Sequence, residues 1–235
     1  MAYRRALLKL SGEAFSGDED FGLSHSTVDY FASEIVSAHE SGCELSVLVG
    51  GGNFFRGANL AEMGVDRATG DYMGMLATLL NSLALLDCIE KRGVPARLVS
   101  SIRMDEVAEP YIRRRCIRHL EKGRIVILAC GLGRPYFSTD TAGVQRALEI
   151  GAQVVFKGTR VKGVYDKDPE KHPDARFFES LTFDEALSRR LEILDQTAFT
   201  LCRDNKLPVI VFNIFEKGNL KKAIQGEPVG TIVTA

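Results

Sequence analysis

Residues 45–57 read LSVLVGGGNFFRG, an apolar run that stops at three consecutive glycines. A short, continuously apolar run is typical of a strand that is buried on both faces in a parallel sheet. The glycines remove three Cβ atoms at the strand end, which lets the backbone approach a ligand closely. Gly52 and Gly57 have the spacing of a P-loop, but Ala58 and Asn59 stand where that motif has a lysine and a hydroxyl residue. If this loop binds phosphate, its cation must come from another part of the chain.

Similar apolar runs alternate with helical patterns along the whole sequence. Because alternating strands and helices form parallel sheets covered by helices, the sequence predicts a three-layer α/β/α fold with a mostly parallel central sheet. Such sheets bind ligands beyond the carboxyl ends of their strands. Strands are predicted at residues 6–10, 45–49, 96–100, 124–130, 152–157, 208–213 and 230–234. Helices are predicted at residues 27–41, 72–92, 106–122, 140–150, 183–191, 197–206 and 218–225.

The chain shows no repeat, low-complexity tract or obvious linker, so we predict one domain over residues 1–235. The turn-rich stretch 166–177 is the one plausible boundary, and it serves equally well as a long functional loop. A capping box is predicted where Thr182 caps a helix and Glu185 occupies its third position.

Composition limits the classes of partner and compartment. With 30 basic and 31 acidic residues the net charge is −1. The charge of the whole protein therefore does not attract nucleic acid or an acidic membrane surface. The five cysteines form no C-x-x-C pair, which argues against disulfides or zinc and favours a reducing cytoplasm. The N-terminal apolar run of about five residues is too short for a signal peptide, and no run approaches the ~18 residues of a membrane span. We therefore expect a cytoplasmic protein that binds neither nucleic acid nor membrane.

The predicted helix at 72–92 is apolar on nearly every side. Such a helix lies either deep in a core or against another subunit. In a domain with a single sheet, contact with another subunit is the interpretation that we favour.

Several strand ends carry polar or charged groups. Lys9 lies between two leucines of the first strand, so we expect it to point to the face opposite these neighbours. It comes just before Ser11 and Gly12 and is either an edge lysine that reaches solvent or a cation for phosphate. Arg56 follows the glycines and supplies a guanidinium suited to phosphate oxygens. Asp71 is either the N-cap of the apolar helix or a carboxylate for two ribose hydroxyls.

The run 130–142 follows the most hydrophobic strand and combines glycines, aromatics and hydroxyls. Ser138, Thr139 and Asp140 end it and open a helix, a place where these residue types are common as caps. The length of the irregular part indicates more than a cap, because aromatics, backbone amides and hydroxyls together suit a base and a phosphate.

Six segments occur in an order that resembles the bacterial uridylate (UMP) kinases of the amino acid kinase superfamily. They read LLKLSGEA, GGGNFFRG, GDYMGMLAT, PYFSTDTA, KGTRVKGVYDKDP and TAFTLCRDNKLPVIVFN, and the resemblance extends over residues 3–234. It implies the amino acid kinase (carbamate kinase-like) fold and transfer of a phosphoryl group from ATP to UMP with Mg²⁺, a step of pyrimidine biosynthesis. It also implies a homohexamer built from dimers, activated by GTP and inhibited by UTP.

The resemblance further assigns residues to parts of the site. Contacts with ATP are implied for Lys9, Leu10, Ser11, Gly12, Gly52, Arg56, Thr159, Tyr165 and Asp168. Contacts with UMP are implied for Gly51, Asp71, Leu132, Gly133, Arg134, Pro135, Tyr136, Phe137, Ser138 and Thr139. Catalytic roles are implied for Lys9, Arg56, Asp140, Lys157 and Asp195, with the lysines on the transferring group and Asp140 orienting them. The segment Gly17, Asp18, Glu19, Asp20, Phe21 and Gly22 aligns with the part linked to GTP activation, and no protein ligand is expected for Mg²⁺ beyond the ATP phosphates.

Three positions depart from the family pattern. Leu132 stands where many relatives have threonine, so its side chain offers no hydroxyl to UMP. Arg134 replaces a neutral amide with a charge, and Lys162 replaces an aspartate. These departures bear on acceptor affinity and on the ATP loop more than on the class of reaction.

The absence of a histidine from these segments fits an acceptor that is itself a phosphate. A phosphomonoester has a second pKa of about 6, so it is largely a dianion at neutral pH and attacks without a general base. Two alternatives remain: a kinase of the same superfamily that acts on a carboxylate or carbamate, such as acetylglutamate or aspartate, and a non-catalytic nucleotide- or oxyanion-binding protein.

Overall fold

All seven predicted strands pair in one central sheet, so the expected α/β class with a mostly parallel sheet is confirmed. The computed structural model describes residues 2–55 and 62–235. The strands are β1 (Arg5–Leu10), β2 (Glu44–Val49), β3 (Ala96–Ser100), β4 (Glu109–Pro110), β5 (Ile125–Ala129), β6 (Val155–Thr159), β7 (Val164–Tyr165), β8 (Phe177–Phe178), β9 (Ser180–Thr182), β10 (Val209–Asn213) and β11 (Thr231–Thr234). In the described residues the sheet runs in the order β4-β3-β5-β2-β1-β6-β10-β11-β9, while β7 and β8 form a separate antiparallel pair.

Every pairing from β4 across to β10 is parallel. β11 pairs antiparallel with β10 and carries β9 beside it. The carboxyl ends of β5, β2, β1, β6 and β10 therefore lie side by side at one edge of the sheet, which is where α/β sheets bind ligands.

Helices cover both faces of the sheet and form two separate apolar cores with it. They are α1 (His25–His39), α2 (Arg67–Glu90), α3 (Arg113–Glu121), α4 (Thr139–Ile150), α5 (Phe183–Ser188), α6 (Gln196–Asp204) and α7 (Asn219–Gln225), and a 3-10 helix spans Gly12–Ser16. One core joins the sheet to α1, α2 and α7. The other joins it to α3, α4, α5 and α6.

Alternation along β1 fixes the direction of Lys9. Leu8 and Leu10 belong to the core beneath α1 and α2, whereas Leu7 belongs to the core beneath α4. Since side chains two residues apart share a face of a strand, Lys9 shares the face of Leu7 and points toward α4. The sequence prediction that Lys9 faces away from its two leucine neighbours is confirmed.

Two helix starts were predicted in the wrong place. The helix expected from residue 106 begins at Arg113, because residue 110 is a proline and disfavours helical backbone at Glu109. Glu109 and Pro110 instead form the edge strand β4 beside β3. The expected capping box does form: Glu185 N donates to Thr182 Oγ1 at 3.1 Å, and Thr182 N donates to Glu185 Oε2 at 2.8 Å.

The second wrong helix start is that of α2, which was expected at residue 72 and lies at Arg67. Asp66 is the N-cap, accepting hydrogen bonds from the backbone N–H groups of Ala68 and Thr69 at 3.0 and 3.2 Å. Asp71 therefore lies inside the helix, so of the two interpretations of Asp71 that the sequence left open, the helix cap is wrong.

By length and composition α2 is apolar enough to cross a membrane, a test that buried core helices also pass. Half of its most apolar stretch is buried, and the helix packs against α1, β3 and β5. The opposite side exposes Tyr72, Leu76 and Leu80, each by almost half, at a spacing of four residues. The helix thus has both a core face and an exposed apolar stripe.

Candidate active site

A lysine, an aspartate and a second lysine meet at the carboxyl end of the sheet. Lys9 of β1 and Lys157 of β6 lie directly opposite each other in the parallel pairing. Asp140, in the first turn of α4, reaches between them: its Oδ1 lies 2.7 Å from Lys9 Nζ and its Oδ2 lies 2.9 Å from Lys157 Nζ. Lys157 Nζ also donates to the carbonyl of Ile193 at 2.6 Å. We call Lys9, Asp140 and Lys157 the lysine cluster.

Burial shapes the charges of this cluster, since no more than 19% of any of its three side chains is exposed. Burial would raise the pKa of the Asp140 carboxyl, but the charges of Lys9 and Lys157 outweigh it and hold that pKa below its usual range. The N-terminal end of α4 also favours a carboxylate there. Burial lowers the pKa of the Lys157 ammonium, although the facing Asp140 opposes this shift. Two ammonium groups around one carboxylate leave a net positive charge, which suits phosphate.

The glycines of the loop after β2 are needed for packing between backbones. A Cβ on Gly12 would lie 2.6 Å from the backbone N of Gly51, so the turns after β1 and β2 touch directly. A Cβ on Gly51 would lie 2.6 Å from the carbonyl O of Gly74 in α2. From the sequence, the glycines after β2 were interpreted as a tight turn or as a place where the backbone approaches a ligand. The structure adds a further reason for Gly12 and Gly51, which let three segments of backbone meet.

A cavity of about 530 Å³ lies between α2 and the loop that follows β5, and its lining includes Thr139, the residue before Asp140. We call it the acceptor-side cavity, after the UMP contacts that the resemblance implies for part of its lining. Among the residues implied for UMP, its lining includes Gly51, Asp71, Leu132, Arg134, Phe137, Ser138 and Thr139. Gly133 is instead packed against the backbone of Ser101, and Tyr136 is 68% exposed. Ser11, Gly12 and Gly52, which the resemblance assigns to ATP, line this same cavity.

The loop at residues 130–138, here called the acceptor loop, has a strained backbone. Cys130 and Tyr136 have φ of 60° and 70°, values that cost non-glycine residues about 1–3 kcal/mol each. Contacts from distant segments hold it in place: Cys130 N donates to Thr78 Oγ1 at 2.8 Å, and Ser101 Oγ donates to the Gly131 carbonyl at 2.6 Å. The anchors Thr78 and Ser101 were missed by sequence reasoning, because each is an ordinary hydroxyl residue far from the loop in sequence.

Asp71 supplies another anchor of the acceptor loop. Its Oδ2 accepts a hydrogen bond from the backbone N of Tyr136 at 2.7 Å. Arg67, one helical turn earlier, donates through Nε to both carboxylate oxygens at 3.1 Å, and its guanidinium lies 5.7 Å from the Tyr136 ring centroid. Arg67 also lines the cavity and was missed in the sequence, although its spacing of four residues from Asp71 is a usable signal.

Asp195 fastens the N-termini of α4 and α6 together. As the N-cap of α6 it accepts hydrogen bonds from the backbone N of Thr197 and Ala198, at 2.9 and 3.1 Å. The hydroxyls of Ser138 and Thr141 also donate to it. Burial would raise its pKa, but these hydrogen bonds outweigh burial and lower it. Its catalytic role stays a prediction, and four protein donors on one carboxylate favour positioning.

Lys157 of the lysine cluster lines a second cavity, of about 500 Å³, which we call the donor-side cavity after the ATP contacts that the resemblance implies there. Lys157, Thr159, Tyr165 and Asp168 line it, so four of the residues implied for catalysis or ATP meet here. The side chain of Leu10 is fully buried in the core beneath α1, which leaves only its backbone for a nucleotide.

Arg56 lies outside the described residues. Lys162 and the segment Gly17–Gly22 line neither of the two cavities. The departure Lys162 stacks its ammonium 4.3 Å from the Phe177 ring centroid, in the β7–β8 hairpin. In the segment Gly17–Gly22, the carbonyl of Gly17 accepts a hydrogen bond from Arg160 at 3.0 Å. Gly17 and Asp18 also line a third cavity of about 390 Å³.

Residues 4–213 match the model of the amino acid kinase family. The chain belongs to this family. The enzyme is similar over its full length to the UMP kinase of Bacillus anthracis, with 36% identity, 97% of that chain covered and a TM-score of 0.96. It is similar to the UMP kinase of Ureaplasma parvum with 31% identity, both chains fully covered and a TM-score of 0.93. The uridylate kinase of Archaeoglobus fulgidus matches at 25% identity with a TM-score of 0.73, covering 97% of this chain and 99% of that one.

These likenesses confirm the predicted family and fold, and with them a phosphotransferase enzyme. The two similar bacterial proteins share the whole sheet and its helical layers rather than one motif, because the matches cover this chain completely.

Proposed function

We propose that the enzyme transfers the γ-phosphoryl group of ATP to UMP and releases ADP and UDP, a step of pyrimidine nucleotide biosynthesis. The observation that carries the proposal is the lysine cluster and its relation to two cavities of about 530 and 500 Å³: Lys157 lines the smaller one, and Thr139, the neighbour of Asp140 in sequence, lines the larger one. Each cavity has room for a ligand of nucleotide size. The two similar bacterial proteins are UMP kinases, which supports UMP as the acceptor.

The chemistry asks little of the protein beyond position and charge. The acceptor phosphate is already an anion, so its oxygen attacks the γ-phosphorus in line and no side chain has to remove a proton. Negative charge then accumulates on the transferring group, and Lys9 and Lys157 stabilise it from the two strands. Asp140 binds both ammonium groups in advance, so little reorganisation is needed at the moment of transfer.

We propose that the acceptor phosphate lies toward the glycines and the lysine cluster, and the nucleoside toward Asp71 and the acceptor loop. Asp71 has an acidic side chain in the wall of the cavity, which suits ribose hydroxyls. Its hydrogen bond with Tyr136 N gives it a further task, because the same carboxylate shapes the wall against which the base packs.

Magnesium is proposed to arrive with ATP, whose phosphate oxygens are the hard ligands that Mg²⁺ prefers. Both oxygens of Asp140 already face lysines, and residues 2–55 and 62–235 contain no cluster of three acidic, histidine or cysteine ligands. The ion would supply charge neutralisation on the phosphates, while the lysines act from the protein.

Assembly and regulation are further parts of the proposal. The exposed stripe of Tyr72, Leu76 and Leu80 on α2 supports self-association, and a homohexamer is the form we expect. GTP and UTP are expected as activator and inhibitor. All five cysteines are free and buried, which supports a reducing, cytoplasmic location.

The proposal is tested by measuring ADP release with UMP, CMP, aspartate, N-acetylglutamate or no acceptor. Release that depends on UMP is expected, with CMP a poorer acceptor. Release that depends on aspartate or N-acetylglutamate would assign the enzyme to a carboxylate acceptor, and ATP binding without release under any condition would contradict catalysis.

A further inference from the structure

A pair of buried asparagines holds the loop after β2 against α2. We call residues 50–53 of this loop the glycine loop. Asn53 and Asn81 expose 2% and 0% of their surface. Asn81 Nδ2 donates to Asn53 Oδ1 at 2.7 Å, and Asn53 Nδ2 donates back to Asn81 Oδ1 at 2.8 Å. This reciprocal amide pair joins two residues 28 positions apart in sequence, one in the glycine loop and one in α2.

The remaining amide hydrogens bind two backbone carbonyls. Asn81 Nδ2 donates to the Gly50 carbonyl at 2.7 Å, and Asn53 Nδ2 donates to the Gly22 carbonyl at 2.8 Å. Because each amide has two N–H groups, all four are now used. The carbonyls also fix the orientation of both amides, since a flipped amide would set an oxygen against a carbonyl oxygen.

These contacts close the glycine loop at both ends. Gly50 begins the loop and is held through its carbonyl, while Asn53 ends it and is held through its side chain. Gly51 and Gly52, between the two clamped positions, line the acceptor-side cavity. Asn53 additionally accepts, through its carbonyl, a hydrogen bond from Gly22 N at 2.9 Å, which fastens the segment Gly17–Gly22 to the same loop.

We propose that Asn53 and Asn81 are positioning residues for phosphoryl transfer: their amide pair fixes the backbone of residues 50–53 relative to the lysine cluster. This inference rests on the proposed kinase activity. A buried polar pair is a demanding way to fill space, because each buried amide needs hydrogen-bond partners within the protein. What the pair supplies is one defined loop geometry, which aliphatic side chains of the same size would not specify.

The test is Asn81→Asp, which is nearly isosteric. An ionised Asp at 81 has no hydrogen to donate, so its oxygen would face the Gly50 carbonyl and open the loop. Burial raises the pKa of such a carboxyl, and in its protonated form it donates one hydrogen bond again. We expect kcat to fall by about tenfold or more at mildly alkaline pH, a loss corresponding to roughly 1.4 kcal/mol, and to recover toward wild type as the pH is lowered.

Kinetics are expressed as the ratio of variant to wild type at each pH, which cancels ionisations common to both proteins. Among these is Glu13, whose side chain packs beside Gly52 and is unchanged in the variant. Asn219→Asp is the matched control. Asn219 is also buried and donates to a backbone carbonyl, that of Asn213 at 3.1 Å, but it lines neither the acceptor-side nor the donor-side cavity. Its variant should be less stable, with a kcat ratio that does not change with pH.

A ratio for Asn81→Asp that is flat with pH, together with a lowered melting temperature, would reduce the pair to a purely structural element and overturn the proposal. If that variant does not fold, Asn53→Asp, which keeps the bond to Gly50, is assayed in the same way and judged by the same criterion. Amide hydrogen exchange over residues 50–53 is measured on the same samples and should be faster than in wild type at alkaline pH. Wild type that releases no ADP with UMP would refute the proposed function, whereas unchanged exchange in the variant would refute the positioning role.

Discussion

The two sides of the candidate site are built in different ways. On the acceptor side, the loop at residues 130–138 is held by Asp71, Thr78 and Ser101, which come from α2 and the end of β3. On the donor side, the contacts of Asp168 are local: its Oδ1 accepts from the backbone N of Glu170 at 3.0 Å, and Lys171 lies 3.3 Å away.

Because of this difference, one substitution should disturb the acceptor side more widely than the donor side. Strained backbone on the acceptor side persists only because distant groups hold it, so the loss of a single anchor should change the shape of the cavity. The donor-side turn holds itself, so a change there should remain local. The lysine cluster joins the two sides, and its loss should affect both.

The largest effect is expected from Lys9→Ala. Removing an ammonium that stabilises the transferring group should lower kcat by roughly 10²–10³, equivalent to about 3–4 kcal/mol. Steady-state kinetics with both substrates at saturation measure it. Lys91→Ala, which removes an exposed lysine paired with Asp87, is the control and should leave kcat unchanged. Near-normal turnover of Lys9→Ala would remove Lys9 from the mechanism.

Asp71→Ala should have the next largest effect, confined to the acceptor. The variant loses both the carboxylate for ribose and the bond to Tyr136 N, so the KM for UMP should rise by about tenfold or more, at 1.4 kcal/mol per tenfold. The KM for ATP should stay within about twofold of wild type, since each interaction lost belongs to the acceptor side. Asp71→Asn separates the two losses, because an amide oxygen still accepts from Tyr136 N. An unchanged KM for UMP in Asp71→Ala would leave Asp71 as a structural residue of α2.

Ser101→Ala should weaken the acceptor side more modestly. It removes the bond to the Gly131 carbonyl and the group that accepts from buried Arg146 at 2.9 Å. A net hydrogen bond is worth about 0.5–1.5 kcal/mol, so the KM for UMP should rise by roughly two- to tenfold. Ser46→Ala is the matched control, because Ser46 also donates to a backbone carbonyl within the sheet, that of Ala6 at 3.1 Å. Equal effects of the two variants would mean that the acceptor loop holds its shape without Ser101.

The smallest effect is expected from Asp168→Ala on the donor side. The exposed carboxylate stabilises one local turn and a lysine pair, and exposed ion pairs contribute little because water screens them, so the KM for ATP should rise by no more than about fivefold. The KM for UMP should not change. A rise in the KM for UMP as large as that of Ser101→Ala would break the distinction between a self-contained donor side and a braced acceptor side.

The sequence was sufficient for the parts of the fold that depend on local pattern. Continuously apolar runs identified the seven main strands, and alternation along β1 predicted the direction of Lys9. The capping box at Thr182 was readable because both of its partners lie within one helical turn. The two-residue edge strand β4 was not, since so short a strand has no periodicity of its own.

The supporting contacts of the site could not be read in the same way. Thr78 and Cys130 are 52 positions apart, and Asn53 and Asn81 are 28 apart, so no local pattern links them. Each partner is also an ordinary residue for its element, and only the folded backbone reveals that its polar group is used. The family resemblance named residues that are expected to contact a ligand, whereas the residues that hold them in place are identified from the geometry alone.

The register between β1 and β6, which sets Lys9 opposite Lys157, has a consequence for folding. A slip of one residue between these strands would turn one ammonium to the wrong face, where it would lie among leucines and phenylalanines without a carboxylate. The central strands are otherwise apolar on both faces and could pair in several alignments. The three charges therefore favour the native alignment of the strands, because a misaligned sheet would bury a lysine without its carboxylate, which costs free energy.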